Sequence, residues 1–141
     1  MNYMSGKVFI DTNIFVYAKL FNAQEQAKYQ QAKAFLQSLQ LSVVISTQVL
    51  NEFANVLIKH RVADIDIQLA IDAIADNSLV APVSFHTVQD ALRIKSRWQF
   101  SYWDSLIIAS ALENGCTILF TEDLQHNQVI DGSLQVKNPF F

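Results

Sequence analysis

The chain has 141 residues, of which 51 % are hydrophobic and 16 % charged, enough apolar material for a large core and too much for a disordered protein. That length suits one domain, residues 1–141, with no linker, repeat or low-complexity tract. A net charge of −3 speaks at first against a nucleic-acid partner, and Cys116, the only cysteine, excludes an intrachain disulfide.

The opening "MNYMSGK" leads into an apolar run that Asp11 interrupts after three residues, so it does not read as a secretory signal. No stretch of about 18 continuous apolar residues offers a membrane span, and a soluble cytoplasmic protein is expected. Lys7–Ile10 then reads as a short buried strand ending at the polar cluster Asp11, Thr12, Asn13. Asn13–Phe21 is predicted helical. Ala23–Leu39 is a clearer helix, with Ala32, Phe35, Leu36 and Leu39 on one face. Leu41–Ser46 is the second strand. Thr47–His60 is a helix that Ser46 or Thr47 can cap, and Val49, Phe53, Val56 and Leu57 form its inner stripe.

Asp64–Asn77 is another helix. Leu79–Ser84 is a weaker strand that Pro82 assigns to an edge. Thr87–Trp98 and Tyr102–Asn114 are helices, the second stopped by Asn114-Gly115. Cys116–Thr121 is a strongly apolar strand, and a short final strand is expected near Leu134–Val136. Strands alternating with helices predict an α/β fold: a mainly parallel central sheet of four to five strands flanked by helices. Ligands bind such sheets at the carboxyl ends of the strands. Asp11 falls at such an end, and Glu122 and Asp123 follow another.

Two further acids stand in apolar surroundings. Glu52 borders the inner stripe of its helix, and Asp104 opens the most apolar helix of the chain. Each acid also has a purely structural reading. Asp11, Thr12 and Asn13 are all good caps for the next helix, Ser101 and Asp104 have capping-box spacing, and Glu122-Asp123 can be a polar turn. Glu52 fits such a reading least, because a glutamate at the edge of a buried stripe must find a partner or stay wet. Together the four would converge on one cleft and repel by roughly 3–4 kcal/mol per pair at an effective dielectric of ~20. A bound divalent cation is the usual reason for such a cluster to persist. All-oxygen donors favour Mg²⁺ or Mn²⁺. His60, His86 and His126 are scattered and have no zinc-like spacing.

The segments "VFIDTNIFVYA", "STQVLNEFANVL", "YWDSLIIASALENGCTILFTEDL" and "VKNPF", spanning Lys7 to Phe140, resemble the PIN-domain ribonucleases, particularly VapC-type toxins of toxin–antitoxin modules. The specific feature is the order D-T-N, N-E, W-D before an apolar helix, then T-x-D after a strand. The resemblance implies a three-layer PIN-like fold in which Asp11, Glu52, Asp104 and Asp123 hold Mg²⁺ or Mn²⁺ and Asn13 and Thr121 line the pocket. It implies metal-assisted hydrolysis of RNA phosphodiesters with one carboxylate as base. It also implies a cognate antitoxin partner and a homodimer. The T-x-D pattern favours Asp123 over Glu122. The "DLQHN" that follows departs from the family's usual aromatic or glycine, and His126 there would reach the substrate.

Charge then ceases to argue against RNA. Setting aside the four acids leaves nine acidic against ten basic residues, and divalent cations would neutralise the cluster itself. Lys59-His60-Arg61 and the Arg93, Lys95, Arg97 group are candidate phosphate contacts, with Arg93 and Arg97 on one helix face. Trp98, Phe100, Tyr102 and Trp103 are candidates for stacking on unpaired bases. The "NPFF" terminus exposes two phenylalanines unless they pack, which favours a dimer. A haloacid-dehalogenase-like phosphatase also starts with a strand ending in aspartate, but it wants a second aspartate where Asn13 stands. A receiver-like signalling domain wants a lysine after a late strand, where "TED" stands. A binding protein with a degenerate site would not need all four acids.

Overall fold

The computed structural model describes residues 6–141; residues 1–5 of the segment read above for a signal peptide lie outside the described residues. The elements run β1 (Lys7–Ile10), α1 (Thr12–Lys19), a 3₁₀ turn (Ala23–Glu25), α2 (Gln26–Ser38), β2 (Ser42–Ser46), α3 (Thr47–Lys59), α4 (Asp64–Asp76) and β3 (Leu79–Ala81). There follow α5 (Phe85–Trp98), α6 (Tyr102–Glu113), β4 (Cys116–Phe120), β5 (Val129–Ile130) and β6 (Leu134–Lys137). The strands form one sheet in the order β3-β2-β1-β4-β6-β5. All neighbours are parallel except β5 and β6. Helices cover the sheet to give the three-layer α/β fold. One group packs α1 against α2 and α3, and α3 against α4; the other packs α5 against α6, which lies on β2 and β4.

The central strands are buried on both faces, which is why they read as unbroken apolar runs rather than alternating ones. Val8, Phe9 and Ile10 of β1 and Leu119 of β4 are completely buried. Every residue of α6 from Ser105 to Ala111 is buried as well. Its lack of an amphipathic pattern follows from contacts on both sides, with α5 and with the sheet.

The chain leaves β1 to one side, builds β2 and then β3, and returns to insert β4 on the other side of β1. The crevice between the carboxyl ends of β1 and β4 is therefore the switch point of the sheet, where open α/β folds bind ligands. Ile10 pairs with Phe120 across that junction. The Asp11 N–H continues the pairing by donating to the Phe120 carbonyl at 3.0 Å, so the residues after the two strands leave side by side.

Some boundaries differ from those read in the sequence. β3 is an edge strand and stops at Ala81, since Pro82 has no N–H to give. α5 starts at Phe85 because Ser84 and Thr87 form a reciprocal capping box. Ser46 occupies the N-cap position of α3 without a side-chain cap hydrogen bond, and the Thr47 hydroxyl accepts from the Val83 N–H at 3.2 Å. A sixth strand, β5, pairs antiparallel with β6 through a turn where Asp131 and Gly132 take positive φ. The Asp-Gly pair inside "VIDGSLQV" was the available signal for it. Phe140 packs its ring on Tyr17, centroids 5.2 Å apart, so only Phe141, 88 % exposed, remains outward at the terminus.

Leu119 is completely buried in β4, between β1 and β6 in the middle of the sheet. Leu119→Ala is expected to cost about 2–5 kcal/mol of unfolding free energy, measured by urea denaturation; a loss below about 1 kcal/mol would show that the site collapses around the gap.

Candidate active site

Asp11, Asp104 and Asp123 each offer a carboxylate oxygen within 4.8 Å of the others. With Glu52 they line one cleft of about 580 Å³ whose apolar walls include Val16, Val56, Trp103 and Ile107. Four segments meet there. Asp11 follows β1 and is the N-cap of α1: its Oδ1 accepts from the Thr12 N–H at 2.7 Å. Glu52 sits in the middle of α3. Asp104 lies in the first turn of α6, where the Ser101 hydroxyl accepts from the Asp104 N–H at 3.1 Å. Asp123 follows β4, and its N–H donates to the Thr121 hydroxyl at 3.1 Å. The N-terminal ends of α1 and α6 thus face the carboxylates, and their dipoles favour negative charge there.

Short polar side chains tie the acids together. The Thr121 hydroxyl donates to Asp11 Oδ2 at 2.8 Å, a contact the paired exits of β1 and β4 make unavoidable. Asn13 Nδ2 donates to Asp123 at 3.0 Å and to Thr121 Oγ1 at 3.3 Å. Glu52 accepts from the Thr12 hydroxyl at 2.8 Å and from Gln48 Nε2 at 3.3 Å. Thr12 and Gln48 were not singled out in the sequence. Gln48, one helical turn before Glu52, carried a signal in that spacing; Thr12 looked like one of three interchangeable cap residues.

Glu122 points out of this group. It forms an ion pair with Lys28 at 2.8 Å and accepts from the Tyr17 hydroxyl at 2.6 Å. Of the two adjacent acids, only Asp123 lines the cleft. Arg93, Arg97 and His126 do not line it. Arg93 leans on Asp90 in its own helix at 3.8 Å, and Arg97 lies over the Trp98 ring. His126 Nδ1 accepts from the Asn138 N–H at 2.9 Å, and its ring stacks on Phe141. The imidazole thus holds the C-terminal residues, and His126 stands outside the residues that line the cleft.

Burial dominates the electrostatics. Asp11, only 5 % exposed, has its pKa pushed up to about 7 by loss of solvent, against the pull of the Thr121 and Thr12 hydrogen bonds, with Asp123 and Glu52 adding repulsion. Burial also raises Asp104, opposed by Ser101 and reinforced by the charges of Asp123 and Glu52. It raises Asp123 too, with Asn13 opposing and Glu122 and Glu52 reinforcing. Without a counter-charge the trio resists full ionisation. The donors are all oxygen, and Asn13 Oδ1 is buried with no hydrogen-bond partner beside them. A hard divalent cation fits this set, in both charge and donor chemistry.

These features define an α/β protein with an acid-lined cleft, suited to a cation, at the switch point of its sheet. The PIN domain family model matches residues 8–131, and the chain belongs to the PIN-domain family. No curated protein sequence matches it. Among solved structures it is similar to VapC20 of Mycobacterium tuberculosis, described as a sarcin–ricin-loop-cleaving toxin: 21 % identity, 82 % of this chain and 91 % of that one covered, TM-score 0.67. A toxin–antitoxin complex from Klebsiella pneumoniae matches at 17 % identity over 94 % of this chain and 97 % of that one, TM-score 0.71. FitAcB from Neisseria gonorrhoeae matches at 18 % identity over 94 % and 98 %, TM-score 0.62.

Folded Asp11 holds its proton up to about pH 7, against an ordinary value of 3.8. Its contribution to the stability of metal-free protein is therefore present below pH 3.8 and lost as pH rises through about 7. In EDTA, the melting temperature of the wild type should fall relative to Asp11→Asn over that window. Millimolar Mg²⁺ at about pH 8 should restore the wild type and leave the variant unchanged. Parallel pH courses for the two proteins would refute the assignment.

Proposed function

We infer that this chain is a divalent-metal-dependent endoribonuclease acting as the toxin of a toxin–antitoxin pair. The observation that carries the reading is the convergence of Asp11, Asp104 and Asp123 within 4.8 Å at the switch point of a PIN-domain sheet. The solved relatives supply the biological context: one is described as a sarcin–ricin-loop-cleaving toxin, and another as a toxin–antitoxin complex. Mg²⁺ or Mn²⁺ is the ion that all-oxygen ligation favours. Asp11, Asp104 and Asp123 are its ligands, with Glu52 at the edge of the same cleft.

When bound, the ion supplies charge neutralisation at the scissile phosphoryl group and acidifies an attacking water. The chain's own side chains do the rest. Thr121 and the Thr12 N–H hold both oxygens of Asp11, so the carboxylate cannot rotate away from the cleft. Asn13 does the same for Asp123. Glu52, clamped by Thr12 and Gln48, is not one of the converging trio. It is the carboxylate that an ion held by the trio leaves to accept a proton from water, and it serves as the general base. An RNA backbone, which the free carboxylates repel, is attracted once the cation is in place.

A cognate antitoxin and a homodimer belong to the same reading, as does action in the cytoplasm. No described helix is long and apolar enough to cross a membrane. Ile65 and Leu69, one turn apart on α4, and Ile58 at the end of α3 are all exposed and give apolar surface for association.

Purified protein incubated with total cellular RNA should produce discrete cut ends by sequencing, and EDTA should abolish them. Asp11→Asn and Asp104→Asn should fall to the EDTA background while keeping wild-type circular dichroism. Full cleavage by either variant would remove that residue from the site. Sedimentation should show a dimer at micromolar concentration, and a stable monomer would withdraw that part of the reading.

A further inference from the structure

Four aromatic side chains cluster in "RWQFSYW", and the structure separates their roles. Trp98 and Phe100 stack on each other, nearly parallel with centroids 6.1 Å apart, and the Trp98 indole N–H donates to Asp131 at 3.2 Å. Tyr102 sets its ring edge-on to Trp103 at 5.2 Å. Trp103 alone of the four lines the acid cleft, and it is 62 % exposed there. It also lines a side recess of about 240 Å³, together with Thr47, Asn51, Val83 and Leu106. Gln48 and Glu52 belong to both cavities, so recess and cleft adjoin at Trp103.

The backbone beneath the indole is tied down. Gln48 Nε2 donates to the Trp103 carbonyl at 3.2 Å and to Glu52 at 3.3 Å. Both amide hydrogens are thereby used, which fixes the amide's orientation. Gln48 Oε1 is left without a partner on a side chain only 8 % exposed. A buried acceptor left open is completed when a ligand brings a donor. A large indole held outward beside the metal-binding trio has no packing reason to be there. It has a binding reason: every nucleobase offers a π-face, and stacking needs the base unpaired.

We propose that Trp103 is the stacking platform for an unpaired nucleobase of the substrate, seated in the recess next to the acidic cleft. The proposal rests on the ribonuclease reading for the identity of the substrate, but binding tests it apart from cleavage. Gln48 is a positioning residue in this arrangement, holding the Trp103 backbone against α3.

The test is titration of the protein with a short unstructured ribo-oligonucleotide and with the same strand annealed to its complement. Ca²⁺ replaces Mg²⁺ to slow hydrolysis, and tryptophan fluorescence is read. The single strand should quench Trp103 emission, a signal absent in Trp103→Phe, where only Trp98 emits. Trp103→Ala should weaken single-strand binding roughly ten- to a hundredfold, and Trp103→Phe should restore most of it. Because the side chain is exposed, unchanged melting temperatures are expected in both variants. The duplex should bind the wild type and Trp103→Ala equally weakly. Binding by Trp103→Ala within twofold of the wild type, or equal quenching by duplex and single strand, would overturn the proposal. Selective single-strand binding without cleavage in Mg²⁺ would instead overturn the nuclease reading and leave the platform standing.

Discussion

Mutual repulsion among carboxylates gathered at the end of the sheet is the constraint around which the rest of this molecule is arranged. At the separations found, each ionised pair opposes the fold by roughly 3–4 kcal/mol at an effective dielectric of ~20, a large fraction of a domain's net stability. The chain brings these groups together nonetheless, and it does so with its most rigid parts. β1 and β4 are adjacent, buried and in register, so Asp11 and Thr121 emerge side by side. α6, buried along most of its length, fixes Asp104 from the other side. Backbone N–H groups at two helix starts face the cluster and offset part of the repulsion. The remainder is what a cation removes.

The same residues serve both structure and chemistry. Asp11 caps α1 through one oxygen and bonds Thr121 through the other. Capping and cluster membership are therefore not competing explanations for an aspartate at the end of β1. Ser101 likewise caps α6 and restrains the turn that carries Asp104. Around the cluster runs a second set of contacts that fixes its loops. Glu122, next to Asp123, is held by Lys28 and Tyr17, and the Lys28 ammonium lies over the rings of Tyr17 and Phe140. The loop after β4 is thus pinned to α1, α2 and the C-terminal residues at once. A flexible loop there would let Asp123 swing away from the repulsion instead of sharing an ion.

Much of the architecture was legible because it rests on local patterns. Buried parallel strands read as continuous apolar runs, and the helices of this chain carry stripes or caps. The weak points were also physical. β5 is two residues long and exists only through its pairing with β6. Ser46 and Thr47 looked like caps because hydroxyls at a helix start usually are, yet Thr47 was claimed by the Val83 backbone from another segment. His126 was singled out for its place just after the T-x-D motif, and the fold engages its Nδ1 with the Asn138 N–H and its ring with Phe141. Thr12 and Gln48 escaped notice for the opposite reason, being uncharged residues whose importance lies in what Glu52 requires.

The order of strands and helices, the buried character of β1, β4 and α6, and the presence of acids where apolar runs break were determined by the sequence alone, because they follow from hydrophobic period and from the cost of burying charge. Which acids converge was decided only by tertiary structure. Asp123 and Glu122 are neighbours in the chain with nearly identical chemistry, yet one faces the cleft and the other an ammonium. In the sequence only the T-x-D likeness to PIN-domain ribonucleases pointed to Asp123; what makes the choice physically is where the return from β3 sets β4 against β1 and what α1 and α2 present to the loop that follows.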